Sequence, residues 1–361
     1  MDRVVCVKRV PMDQTIGFCT SADGTRIAYA VSGRGIPLVR AATWMTHVEL
    51  DQDSPVWGHW WRELSRYRQF IRYDQRGCGL SDRHPQDYSL EARVQDLQAV
   101  VDALGLERFD LLGHSHGGLT AIEYAARNPP RVSKLILFGS FAHGQWIRDV
   151  SEASQVIMRS GWERETSAAR MMFAIRMMPD ASKDHLVAAS SLLKNSMSGE
   201  SAANLAASAA SVDVMDRLAH IQTPTLVLHS SRSEEVPSET GRTTAALLPN
   251  ARFVEIDSSN HVLLPDEPAW DDFRSHVRAF LGGESDESPD QDSLTPLPMN
   301  LFEREAEVLR LIARGETDQS VADNLGISVR TVGNHVTNIL RKTGSANRAQ
   351  ASAWAALNGL L

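Results

Sequence analysis

The residues most able to do chemistry lie in Phe109-Asp110-Leu111-Leu112-Gly113-His114-Ser115-His116-Gly117-Gly118, an apolar strand pattern running into a helical one. This is a G-x-S-x-G arrangement, in which a serine sits on a strained strand-to-helix turn with its Oγ exposed as a nucleophile. The flanking glycines let backbones approach closely. The amide of His116, at the start of the following helix, points where an oxyanion would form. Two other segments stand out: Tyr73-Asp74-Gln75-Arg76-Gly77-Cys78-Gly79-Leu80-Ser81-Asp82 and Ser258-Ser259-Asn260-His261. His261 follows the serine in chain order and lies just past the last strand pattern, where a general base belongs. Together these residues suit acyl transfer through a serine nucleophile.

The elements that must hold them alternate between strand and helix. Strands are expected at Arg26–Val31, Pro37–Ala41, Gln69–Tyr73, Phe109–Leu112, Lys134–Phe138, Thr225–His229 and Arg252–Ile256. Helical spacing marks Leu90–Leu104, Thr120–Arg127 and Trp270–Leu281. Such alternation predicts a largely parallel sheet covered by helices on both faces. Between about residues 142 and 221 no strand pattern is found, and seven of the 11 methionines fall there, including four within Met171–Met178. A helical insertion is expected.

The chain has 361 residues, of which 42% are hydrophobic and 23% charged, which excludes wholesale disorder and predicts two or three domains. Residues 282–299 carry three prolines and five acids with no base, and read as a flexible acidic linker. The net charge is −8, with +1 on residues 300–361, −5 on the linker and −4 on residues 1–281. No apolar run is long enough to span a bilayer, and residues 1–10 lack the apolar stretch of an export signal. Cys6, Cys19 and Cys78 form neither a disulfide framework nor a metal-ligand spacing. A cytoplasmic protein without metal, cofactor or membrane association is expected.

D-x-R-G-x-G-x-S, G-x-S-x-G and a late histidine, in this order, resemble the α/β-hydrolase fold over residues 15–281. The resemblance implies that Ser115 is the nucleophile and His261 the base, with the amides of His116 and Trp44 forming the oxyanion hole. It also makes residues 142–221 a helical cap. At one position the sequence departs. Relatives carry an acid in a pattern like H-x-x-x-D-x-x-V-P, and this chain reads His229-Ser230-Ser231-Arg232-Ser233-Glu234-Glu235-Val236-Pro237. Serine occupies the acid position. Glu234 is the candidate replacement, with Glu235 the alternative.

Beyond the linker, apolar residues recur at helical spacing, punctuated by Gly315, Thr317, Gly326 and Ser328 as stops and caps. Two helices joined by Leu325-Gly326-Ile327-Ser328 predict a helix-turn-helix, whose second helix fits a major groove. Glu305–Leu309, Val321–Ser328 and Arg330–Val336 resemble the LuxR-type DNA-binding domain. That resemblance makes Arg330–Lys342 the recognition helix, with Arg330, Thr331, Asn334, His335, Asn338, Arg341 and Lys342 as DNA-contact candidates. It also implies a last helix, Ala349–Leu357, that packs a dimer partner. Phe302 stands where relatives have a threonine cap, and Asn300 with Glu303 can form a capping box instead. Gln319 and Gly333 stand where relatives often carry Lys or Arg.

The expectation is an α/β-hydrolase-like domain (1–281), the linker, and an all-α LuxR-type domain (300–361). Its function would be transcription regulation by a homodimer on a pseudo-palindromic DNA duplex, with the capped domain sensing a small, partly apolar ligand and hydrolysing slowly. The alternative is an active serine ester or lactone hydrolase carrying an accessory DNA-binding domain.

Overall fold

The computed structural model describes residues 14–144, 155–282, 303–357 and 360. Residues 1–13 with Cys6, part of the expected cap (145–154), and the linker from residue 283 through Asn300 and Phe302 lie outside them. The chain falls into two compact units, one of residues 1–100 and 108–283, the other of residues 101–107 and 284–361.

Among the described residues, the first unit is built on eight strands: β1 (Gln14–Thr20), β2 (Arg26–Ser32), β3 (Pro37–Ala41), β4 (Gln69–Tyr73), β5 (Phe109–His114), β6 (Val132–Phe138), β7 (Thr225–Ser230) and β8 (Ala251–Ile256). Their order in the sheet is β1-β2-β4-β3-β5-β6-β7-β8. β1 and β2 pair antiparallel, β2 pairs antiparallel with β4, and the rest is parallel. The central strands are buried on both faces, as continuous apolar runs such as Leu135–Phe138 require.

The chain leaves β3 toward β4 on one side and returns to β5 on the other. Loops after β3 and β5 therefore diverge at their carboxyl ends, which is where α/β sheets place their sites. Helices α1 (Gly58–Tyr67), α2 (Leu90–Ala103) and α3 (Gly117–Arg127) precede β6. Ser89 caps α2, its Oγ accepting from the Ala92 amide at 3.2 Å.

Among the described residues, the insertion between β6 and β7 is helical: residues 155–161, then α4 (Ala168–Met177), α5 (Lys183–Ser196), α6 (Gly199–Ala210) and α7 (Met215–Leu218). Serines cap three of these, with Ser167, Ser182 and Ser198 each accepting from the third amide beyond. The methionine run divides by face. Met177 and Met178 are buried, while Met172 is 60% exposed. Helices α8 (Ser238–Leu247) and α9 (Pro268–Leu281) complete the unit.

Among the described residues beyond the linker, the second unit has four helices: α10 (Glu303–Ala313), α11 (Asp318–Leu325), α12 (Val329–Thr343) and α13 (Arg348–Leu357). The cap and stop residues act as their chemistry predicts. Thr317 Oγ1 accepts from Ser320 N at 3.2 Å, Ser328 Oγ accepts from Thr331 N at 3.1 Å, and Gly326 ends α11 at φ 65°. Val308, Leu309, Val321, Val332, Ile339 and Ala355 form its core.

Candidate active site and DNA-reading helix

β5 delivers Ser115 at the central edge of the sheet. Its φ is 52°, a left-handed conformation that costs a serine about 1–3 kcal/mol and persists because the surroundings enforce it. The Ser115 amide donates to Phe138 O at 3.0 Å. Two glycines make the sharp turn into α3 possible. A Cβ on Gly113 would lie 2.8 Å from Gly118 Cα, and one on Gly117 would lie 2.7 Å from Ala41 O. The side chain of Ser115 is nearly covered, the residue being 9% exposed.

The loop after β3 carries Trp44. Among the described residues, neither the Trp44 amide nor the His116 amide donates a hydrogen bond. Orphaned amides flanking a nucleophile are what an oxyanion hole requires. The Trp44 ring stacks on Phe173 of the cap at 5.1 Å and meets the His116 ring edge-on at 6.4 Å.

The motif Tyr73–Asp82 braces this loop. Asp74 accepts from the amides of Val48 (3.0 Å) and Leu80 (2.9 Å), and Gln75 Nε2 donates to Thr43 O at 3.3 Å. Arg76 grips both oxygens of Asp96, at 2.7 and 2.8 Å. None of these groups reaches the nucleophile.

His261 sits in the β8–α9 loop with its ring against Gly139, where a Cβ would lie 2.8 Å from Cε1. Its amide and that of Val262 both donate to Met177 O of the cap, at 2.8 and 3.1 Å. Neither ring nitrogen has a hydrogen-bond partner, so no hydrogen bond joins His261 to Ser115. Burial holds the imidazole well below its usual pKa, and the neighbouring His114 and His229 push the same way. No carboxylate opposes them.

The missing charge is visible directly. Ser233 is buried and its Oγ accepts from Val236 N at 3.3 Å, taking no part in holding His261. Glu234 is exposed to solvent and does not orient the ring. Glu235 is buried but pairs with Arg176 of the cap, Oε2 to Nη2 at 3.0 Å. The structure thus brings Ser115, His116 and Trp44 together and leaves both glutamates off the histidine.

Burial pushes Glu235 up to about 7, with Arg176 opposing. In the unfolded chain this carboxyl releases its proton near 4.5, so between 4.5 and 7 only the folded chain still holds it. Stability therefore falls as pH rises through that window and levels off above it. Glu235→Gln is expected to flatten this slope, by at most about 3 kcal/mol between pH 5 and 8 in urea unfolding. An unchanged slope would show that another carboxyl carries it, and Asp74, which burial also pushes up to about 7, is the alternative.

In the second unit, the seven DNA-contact candidates Arg330, Thr331, Asn334, His335, Asn338, Arg341 and Lys342 all lie on α12, and Arg330 is exposed. Lys342 is held internally, its Nζ 2.7 Å from Glu305 Oε2. A Cβ on Gly333 would meet nothing within 4 Å, so packing does not demand glycine there.

Residues 52–268 match the family described as alpha/beta hydrolase fold. The chain belongs to that family. Residues 299–355 match the luxR family of bacterial regulatory proteins, so an alpha/beta hydrolase fold and a luxR-family domain are fused in one chain. The chain is 25% identical to a pyrrolizixenacetamide deacetylase of Xenorhabdus hominickii, over 72% of this chain and 96% of that protein. It is 34% identical to a cis-3-alkyl-4-alkyloxetan-2-one decarboxylase of Shewanella oneidensis, over 34% of this chain and only 38% of that protein. A hydrolase structure from Pseudomonas aeruginosa superposes with a TM-score of 0.65 at 22% identity, covering 74% of this chain and 98% of that one. Among the described residues no helix is long and apolar enough to cross a membrane, and no acid, histidine or cysteine cluster suits a metal ion.

Proposed function

We propose that this protein regulates transcription through its luxR-type domain and that the hydrolase domain senses a small, partly apolar ligand beneath the cap. The observation that carries the reading is a strained Ser115 with the Trp44 and His116 amides free and a His261 ring that no carboxylate meets. Such a site can bind what hydrolases bind and still turn it over slowly. Phe173 over Trp44, and Met177 O on the His261 amide, support communication between cap and site, because a ligand that shifts the cap also shifts the histidine loop.

DNA binding as a dimer on a pseudo-palindrome follows from the symmetry that helix-turn-helix readers share with their sites. Selection of duplexes by the full chain from random sequence should yield a pseudo-palindrome. Arg330→Ala should weaken that binding and lower its salt slope by about one. Ligand should change operator affinity by about 5–150-fold. Equal affinities with and without bound molecule would remove the sensor.

The second reading is an active ester or lactone hydrolase with an accessory DNA-binding domain. The intact Ser115, Trp44 and His116 arrangement favours it, and rapid turnover by the unaltered protein would establish it.

A further inference from the structure

Against His116, the residue that follows Ser115, lies a buried cation with no carboxylate of its own. Arg93, in the first turn of α2, is 3% exposed. Its Nη1 is 2.6 Å from His116 Nε2, its Nε donates to Ser89 O at 3.4 Å, and its Nη2 has no hydrogen-bond partner. The two nearby acids are committed elsewhere. Asp96 is gripped by Arg76, and Asp87 accepts from the amide and hydroxyl of Ser89 at 2.7 and 2.9 Å.

Arg40, Arg68, Arg72 and Arg170, also buried in this unit, each leave one nitrogen unpartnered, but carboxylates or several carbonyls face the rest of their guanidinium groups. Arg40 and Arg72 share Asp51, Arg68 pairs with Asp110, and Arg170 is caged by the carbonyls of Ser190, Arg164 and Glu165. A desolvated guanidinium without a counter-ion is strongly destabilising, so it is retained where something else benefits from its charge.

That charge is applied to His116. Since Arg93 can only donate, Nε2 accepts and the ring proton sits on Nδ1. Protonation of the ring would set two cations in contact, and burial together with Arg93 holds the imidazole neutral. The site thus collects a polarised imidazole, two orphaned amides and the N-terminus of α3, all of positive character. The negative charge that a triad acid would add is missing, because position 233 is serine. An unpaired arginine and an absent acid act in the same direction.

We propose that Arg93 and His116 form an anion-recognition element, and that the ligand of the Ser115 site carries a carboxylate on an apolar body. The apolar part meets the Trp44–Phe173 stack, and the carboxylate takes the place of the counter-ion that Arg93 lacks. This rests on the reading that the capped site binds a small molecule.

The test titrates the full chain with octanoate and benzoate, and with octanamide and benzamide as uncharged counterparts, by calorimetry and thermal shift. Carboxylates should bind at least about tenfold more tightly than their amides. Arg93→Met should erase that preference and, without ligand, raise the Tm, because an unpaired buried charge has been removed. Arg93→Lys, which keeps the charge, should retain the preference. Amides binding as tightly as carboxylates would overturn the anion site while leaving the ligand-binding reading intact. Binding by neither class would overturn both. A lowered Tm in Arg93→Met with the preference unchanged would make Arg93 a structural residue and overturn the proposal. If Arg93→Met does not fold, loss of the preference in Arg93→Lys overturns it equally.

Discussion

Ser233→Asp is expected to raise ester turnover by as much as about 10⁴-fold, a barrier change of roughly 5 kcal/mol. The strained Ser115, the Trp44 and His116 amides that donate no hydrogen bond, and His261 on the β8–α9 loop are the parts this change would act through. What His261 lacks is a partner to fix its tautomer and to stabilise the imidazolium that forms when Ser115 loses its proton. Residues 230–232 already lie along the histidine loop, with Ser230 Oγ donating to Asn260 O at 2.7 Å and Arg232 N to Ser258 O at 3.0 Å. A carboxylate at position 233 therefore starts close to its task. Initial rates on p-nitrophenyl esters would measure the gain, and adding Ser115→Ala should abolish it. The same change introduces negative charge beside an anion-recognising site, so octanoate should bind more weakly to Ser233→Asp. Glu234→Gln and Glu235→Gln in the unaltered protein are the controls. Fast turnover that one of them destroys would mean that a glutamate swings onto the histidine, and the enzyme reading would then replace the sensor.

The strands that position the site were legible because they are buried on both faces, so that apolar runs such as Pro37–Ala41 and Gln69–Tyr73 begin and end where the structure has them. β1 was not legible. It is an antiparallel edge strand with no fully buried residue, and Gly17 interrupts its pattern because a Cβ there would lie 2.5 Å from the Tyr29 ring. Helix α1 escaped for a related reason, since Trp60, Trp61 and Leu64 are mixed with His59, Arg62 and Glu63. At the site, spacing and order located Ser115 and His261, but Glu235 is held by a cap arginine 59 positions away in sequence, which no local pattern encodes. Arg93 did leave a signal. It falls on the same face as Leu97, Val100 and Leu104, and a charge on an apolar stripe asks for a reason.

Asp51→Asn is expected to cost about 3–5 kcal/mol of stability, because it leaves two buried arginines facing each other without their shared carboxylate. Asp51 Oδ2 lies 3.4 Å from Arg40 Nη2 and 3.2 Å from Arg72 Nη1, and all three side chains are buried. Its other oxygen accepts from the His47 amide at 3.0 Å, which ties the ion cluster to the loop that carries Trp44. Met45 in that loop has a φ of 61°, and its carbonyl accepts from Trp57 Nε1 at 2.8 Å, while Arg40 lies 4.8 Å from the Trp57 ring centroid. One carboxylate thus supports both the core and the strained turn beside the oxyanion amide. Urea unfolding would read the loss. A change below about 1 kcal/mol would mean that Asp51 is already neutral in the folded chain, the direction in which burial pushes its pKa. The triple change Arg40→Met, Asp51→Leu and Arg72→Met separates the two duties. Apolar replacement of a whole buried ion cluster is often neutral or stabilising, so the core should survive it. The turn at Met45 should not, because the His47 amide loses its acceptor, and binding at the Ser115 site should fall while the fold remains intact.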